Sequence, residues 1–384
     1  MPLSSVSASC PTCVSIQARR TLLRQTSFSE ILLGQPAKRS VSDYVRGVSP
    51  AGNKIKYSLP KLVGSYQSRG TRPYQEDALL ASAVQIKPEE LKYSLRLDGG
   101  TGKSRKQPGS SLGEGVEFWG QDTGEGARGW EPTSPTASEL ALLGIFDGHG
   151  GKDVSAWLSE HMADYVESTK GDDVNGVVEY MQSLGGYFRR FNGGLLSSRY
   201  SLAGKASPSP PLMTLAERLT LAYLRADRRI LTTLSSANQG STGSCALLHS
   251  LDNPSSPFFQ AKRLNITIAH VGDTKILLTR KSDGLCRALT EKHHADARVE
   301  DGRLRKMGKN VGSVADAFGE SRFMGVLENT RAFGDGRWKS TGVTSEPQIT
   351  SRTINGQDYS YLILISSVPT LSGFANRHVD ILEY

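Results

Sequence analysis

A chain of 384 residues is long enough for one large domain or two small ones. With 37% hydrophobic and 22% charged residues, its composition excludes a collagen, a coiled coil and wholesale disorder. The net charge of +8 is lopsided: residues 1–60 hold eight Lys/Arg against two acids, and the rest of the chain holds 38 against 36, so the near-neutral body argues against a nucleic-acid face. The apolar run Leu140 to Phe146 falls far below the ~18 residues that cross a bilayer, so no membrane span is expected. Four cysteines make no disulfide framework, and Cys10 and Cys13 form an isolated C-x-x-C pair in a Ser-rich segment, read as chance.

Residues 1–60 read as a leader, rich in Ser and Arg and poor in acids. Arg19, Arg20 and Arg24 suit one face of a transient helix, and the composition fits a mitochondrial transit peptide; without import the location is cytoplasmic. Ordered chain is expected from near Val63. Residues 96–139 hold ten Gly and three Pro among 44 residues, too little apolar surface to offset ordering entropy, and read as a solvated insertion. Within it, Gly102-Lys103-Ser104 lacks the earlier glycine of a phosphate loop, because Leu97 stands there.

Leu140 to Phe146 predicts a buried strand that turns at Asp147-Gly148. A helix follows from Lys152 to about Glu167, with Val154, Trp157, Leu158, His161 and Tyr165 on one stripe. Further helices are predicted over Val174 to Phe191 and Leu215 to Leu234, separated by a loop at Ser207 to Pro211. Strands are predicted over Cys245 to Leu251, Leu264 to Val271, Lys275 to Lys281 and Tyr359 to Ile365. Gly272-Asp273-Thr274 is read as a tight hairpin between the second and third of these. Helices first and consecutive strands later indicate an α+β fold of antiparallel sheets covered by helices, not a doubly wound parallel sheet.

Three acidic clusters stand at element ends: Glu76-Asp77 preceded by Arg72, Asp147-Gly148-His149-Gly150-Gly151, and Asp273. Carboxylates with a carbonyl freed by glycine form a hard-oxygen set suited to Mg²⁺ or Mn²⁺ rather than zinc. Each alone also reads as surface charge or an ordinary turn. In chain order, RPYQEDA (72–78), GIFDGHGG (144–151), GSTG (240–243), VGDT (271–274) and TRAFGD (330–335) together resemble the PPM-type, or type 2C, metal-dependent Ser/Thr protein phosphatases.

That resemblance spans about Val63 to Ile365 and implies a phosphatase domain over 61–368. It implies a four-layer α-β-β-α sandwich of two mainly antiparallel sheets flanked by helices, with the C-terminal elements missing. It further implies that Asp147 bridges two Mg²⁺ or Mn²⁺ ions, that the Gly148 carbonyl binds one, that Glu76 and Asp77 hold metal-bound waters, and that Asp273 serves a third, weaker ion. Arg72 would grip the substrate phosphate and His149 would protonate the leaving oxygen. Gly240 to Gly243 and Thr330 to Asp335 are read as structural, and His293 and His294 as surface or packing residues.

The implied partners are phosphorylated protein substrates, met by a monomer. The chain departs from the family late: Ser367 and Val368 stand where an Asp-Gly pair is expected, and the atypical tail 369–384 holds no Asp-Asn pair. A hydroxyl is a poor substitute for a carboxylate toward a hard cation. The alternative reading is therefore a catalytically impaired, pseudophosphatase-like protein that binds a partner.

Overall fold

The computed structural model describes residues 42–48, 53–69, 73–98, 129–134, 136–200, 212–234, 236–305, 313–315 and 321–366. Its strands are β1 (Tyr44–Val48), β2 (Lys54–Ser58), β3 (Asp77–Gln85), β4 (Glu139–His149), β5 (Gly240–Ser241), β6 (Gly243–Ser250), β7 (Arg263–Val271), β8 (Lys275–Arg280), β9 (Cys286–Ala288), β10 (Ser313–Ala315), β11 (Ser321–Phe323), β12 (Phe333–Gly334), β13 (Gln348–Asn355) and β14 (Tyr359–Ile365). Its α-helices are α1 (Leu59–Leu62), α2 (Pro88–Asp98), α3 (Asp153–Ser168), α4 (Asp173–Ser183), α5 (Leu215–Thr233), α6 (Arg298–Arg305) and α7 (Gly336–Lys339).

The main sheet runs β12-β5-β4-β6-β7-β13, with β3 also paired to β4, and the second sheet runs β14-β8-β9; every pairing in both is antiparallel. Alternation along β4 explains why its sequence is apolar without a break. Leu140, Leu142 and Phe146 enter the core under the helices, whereas Ala141 and Leu143 enter the core between the sheets. The helical side is closed by α3, through Leu158 and Met162, and by α5, through Leu219, Tyr223 and Ile230.

Helix α5 begins at a capping box in which the Thr214 hydroxyl accepts from the Glu217 N–H and the Glu217 carboxylate accepts from the Thr214 N–H, satisfying two otherwise orphaned donors. Between the sheets lie Ala246, Leu248, Ile266, Ile268, Ile276 and Leu278. On β14, Leu362 and Leu364 pack toward this core, so Tyr361 lies on the opposite face and is 63% exposed. The α+β sandwich expected from the sequence is thus present.

Four expectations change in detail. Ordered chain begins upstream of Val63: β1 and β2 form a hairpin, Val45 is 4% exposed and Leu59 is fully buried. The segment read as an insertion has structured edges, since α2 continues to Asp98 and Trp130 packs edge-on against His249; residues 99–128 lie outside the described residues, as do residues 1–41. The helix expected to reach Phe191 stops at Ser183, because Gly185 and Gly186 take φ of 72° and 50°, which a continuing α-helix does not allow. The turn at Gly272-Asp273-Thr274 is no hairpin: β7 pairs with β6 and β13, β8 pairs with β9 and β14, and the chain crosses from one sheet to the other.

Candidate active site

The crossing turn and the end of β4 meet at one hollow. Register places Asp77, the first residue of β3, directly opposite Asp147. The Asp147 carbonyl accepts the Thr242 N–H at 2.9 Å and the Ser241 hydroxyl at 3.2 Å, tying it to the β5–β6 junction. Phe146, fully buried just before it, anchors the strand from the helical side. The N–H of Gly148 donates to the Glu76 carbonyl at 3.2 Å, and that of Gly151 donates to the Glu76 carboxylate at 3.1 Å. A side chain at 148 has no room, because a Cβ there would stand 2.6 Å from the Glu76 carbonyl oxygen.

A cavity of about 260 Å³ opens here. It is lined by Asp147, Gly148, His149, Thr242, Asp273 and Asp335 together with Arg322, Val326 to Glu328 and Asn329. Within this lining Arg322 donates to Glu328 at 2.9 Å.

Asp273 is 4% exposed. Burial pushes its carboxyl upward, but the His294 ring 3.5 Å away and the Asn329 amide, which donates to it at 3.0 Å, hold the pKa below the usual value. The turn itself rests on buried histidines. Nδ1 of His293 accepts the Gly272 N–H at 3.0 Å, its ring stacks on His270 with centroids 4.6 Å apart, and His270 bonds to Ser244 at 2.7 Å. The adjacent side chains do diverge: His293 packs inside, and His294 turns toward Asp273.

Nε2 of His149 lies 2.8 Å from Oδ2 of Asp335. Burial disfavours the charged ring, yet the bond to Asp335 and the negative charges of Asp335, Asp147 and Asp273 prevail, so its pKa is raised. From sequence alone Asp335 reads only as structural; it lies 186 residues from His149, and no local pattern links them.

Of the residues singled out from sequence, Asp147, Gly148, His149 and Asp273 line the cavity. Glu76 and Asp77 adjoin it through the β3–β4 register, and Oδ2 of Asp77 accepts the Ser366 hydroxyl at 3.3 Å. Arg72, Ser367 and Val368 lie outside the described residues. Carboxylates and a carbonyl are the donors that Mg²⁺ and Mn²⁺ take, so the set fits such an ion in kind. Among the described residues, no group of three or more His, Cys, Asp or Glu side chains is gathered closely enough to hold one by itself.

The protein phosphatase 2C family model matches residues 123–367, well over half of the chain. Protein phosphatase 2C homolog 4 of Schizosaccharomyces pombe is 34% identical over 248 residues, covering 63% of this chain and 62% of that relative. The integrin-linked kinase-associated serine/threonine phosphatase 2C of Bos taurus is 24% identical over 225 residues, covering 57% of this chain and 47% of that relative. A solved serine-threonine phosphatase 2C from Toxoplasma gondii aligns over 60% of this chain and 69% of its own, at 18% identity and a TM-score of 0.37. The chain belongs to the protein phosphatase 2C family. It spans about six-tenths of the yeast relative and about half of the bovine one.

Proposed function

We propose that this protein hydrolyses phosphoserine and phosphothreonine esters in proteins with the help of Mg²⁺ or Mn²⁺. The observation that carries the reading is the convergence of Asp147, Gly148, His149 and Asp273 on one cavity in a chain of this family. The Asp147 carboxylate and the Gly148 carbonyl would hold the ions, with Glu76 and Asp77 beside them and Asp273 at a further position; two ions, and a weaker third, are part of this proposal. When bound, such ions lower the pKa of a water and offset charge on the phosphoryl oxygens.

The chain's own residues divide the remaining work. Thr242 and Ser241 hold the Asp147 backbone, which fixes the point on the cavity lining from which its carboxylate extends. His149 lines the cavity and would give a proton to the leaving Ser or Thr oxygen. Arg72 is proposed for the phosphate on the sequence resemblance alone.

A specific observation also supports the second reading, a catalytically impaired partner-binding protein. Ser366 donates a neutral hydroxyl to Asp77, and the described carboxylates do not form a closed ligand set. Incubating the full chain with a phosphothreonine peptide, with and without Mn²⁺, separates the two. Mn²⁺-dependent phosphate release supports the first, and a folded chain that releases none supports the second.

A further inference from the structure

Asp335 is built into this site with more care than a structural loop residue requires. It is 2% exposed and sits in the left-handed region at φ 51° and ψ 41°, directly after Gly334 at φ 69°. Its N–H donates to the Gln239 carbonyl at 2.8 Å, and the next two N–H groups donate to Ser236 at 3.0 Å and Ala237 at 3.1 Å. Beneath it the Gly334 N–H donates to Asp227 at 2.8 Å, and Asp227 pairs with buried Lys339 at 2.7 Å. On its other side, Gly240 leaves the space in which Asp335 meets His149. A Cβ at 240 would overlap both Nε2 of His149 and Oδ2 of Asp335.

We propose that Asp335 is a positioning residue: by taking the Nε2–H of His149 at 2.8 Å it fixes the ring, so that Nδ1 is the nitrogen presented to the cavity. This rests on the phosphatase reading of the same site. In the hydrolytic step a water oxygen bonds to phosphorus and the bond from phosphorus to the Ser or Thr oxygen breaks, leaving its electron pair on that oxygen. The oxygen takes the proton from Nδ1, and the ring keeps the proton on Nε2 against Asp335. The spare proton of the attacking water goes to solvent, and solvent restores Nδ1–H, giving a free hydroxyl and inorganic phosphate.

The test uses the full chain in wild type, Asp335→Gly, Asp335→Asn and Gly240→Ala. Glycine takes the left-handed backbone without steric cost and removes the carboxylate; asparagine keeps the shape and tolerates that backbone, so the two variants guard against a folding defect in either. With Mn²⁺ present, Asp335→Gly should lower kcat on a phosphothreonine peptide roughly 10- to 100-fold with KM little changed. On p-nitrophenyl phosphate, whose leaving group departs without a proton, the fall should stay under about threefold. Gly240→Ala should show the same split, and Asp335→Asn a smaller one. Equal losses on both substrates, or none, would overturn the proposal.

Ring ¹⁵N spectra give a readout independent of turnover. Observed at a pH where the ring is neutral, wild-type His149 should show a single Nε2–H pattern, and Asp335→Gly a mixture of tautomers; an unchanged ring pattern overturns the proposal. A wild-type chain that releases no phosphate defeats the functional reading, while the ring spectra still decide what Asp335 does.

Discussion

Two regions next to the cavity are held by different means. On the side of β5 and β12, buried ion pairs fix the chain. Asp227 and Lys339 lock the segment before Asp335, and Glu300 accepts from Arg331 at 2.7 Å and from Arg303 at 2.8 Å, with both guanidiniums passing their remaining donors to the carbonyls of Glu346, Thr330 and Gly342. Burial works against the Glu300 charge, but Arg331 and Arg303 hold its carboxyl well below the usual range. On the side of β3 and β14, a carboxylate meets a hydroxyl: Asp77 accepts from Ser366 at 3.3 Å. A neutral donor adds nothing to the attraction for a cation. The first region is therefore fixed by buried charge, and the second by a hydrogen bond from a neutral donor.

Removing charge from the fixed side should have the largest effect. Lys339→Met leaves Asp227 buried without its partner and should cost about 3–5 kcal/mol, read as a drop in urea midpoint at constant m-value. A loss under about 1 kcal/mol would show that this pair does not hold the segment.

Acid should act on the same sheet. Burial lowers the pKa of His249 on β6 and of His270 on β7 to about 4. Their unfolded value is near 6.5, so the unfolded chain binds more protons between about pH 6.5 and 4. Stability is then full above the unfolded value and falls on acidification, by about 1.4 kcal/mol per pH unit for each histidine, levelling below pH 4. Denaturation at stepped pH, compared between wild type and His249→Gln, checks this: the variant should lose one histidine's share of the slope, and an identical slope would refute it.

The smallest predicted change concerns metal affinity. Ser367→Asp restores the carboxylate that the family resemblance expects and should tighten Mn²⁺ binding roughly tenfold, about 1.4 kcal/mol, by calorimetry. Unchanged affinity would refute a metal-ligand role for position 367.

The sequence made part of this site legible because some of its signals are local. An apolar run broken by Asp147-Gly148 marks a strand end, and Gly at 148 is required by the 2.6 Å approach of the Glu76 carbonyl oxygen. The turn at Asp273 was equally visible, but a Gly-Asp-Thr turn between two strand-length runs does not state which strands they will pair with. Here the runs enter different sheets. The helix end at Ser183 was written in Gly185-Gly186 and outweighed by the apolar residues that follow, of which Phe188 is fully buried, in a 3₁₀ turn. Asp335 was invisible for a different reason: its meaning depends on a histidine 186 residues away and on a glycine, Gly240, that clears the space between them. Such a pairing exists only once β4, β5 and β12 lie side by side.

The central claim is that Asp147 and Gly148 present their oxygens to a divalent ion in this cavity. Anomalous diffraction from crystals of the full chain grown with Mn²⁺ tests it most directly. The account predicts a manganese peak between the Asp147 carboxylate and the Gly148 carbonyl that disappears in Asp147→Ala. A cavity without a peak at saturating Mn²⁺, or a peak that survives the substitution, would contradict it.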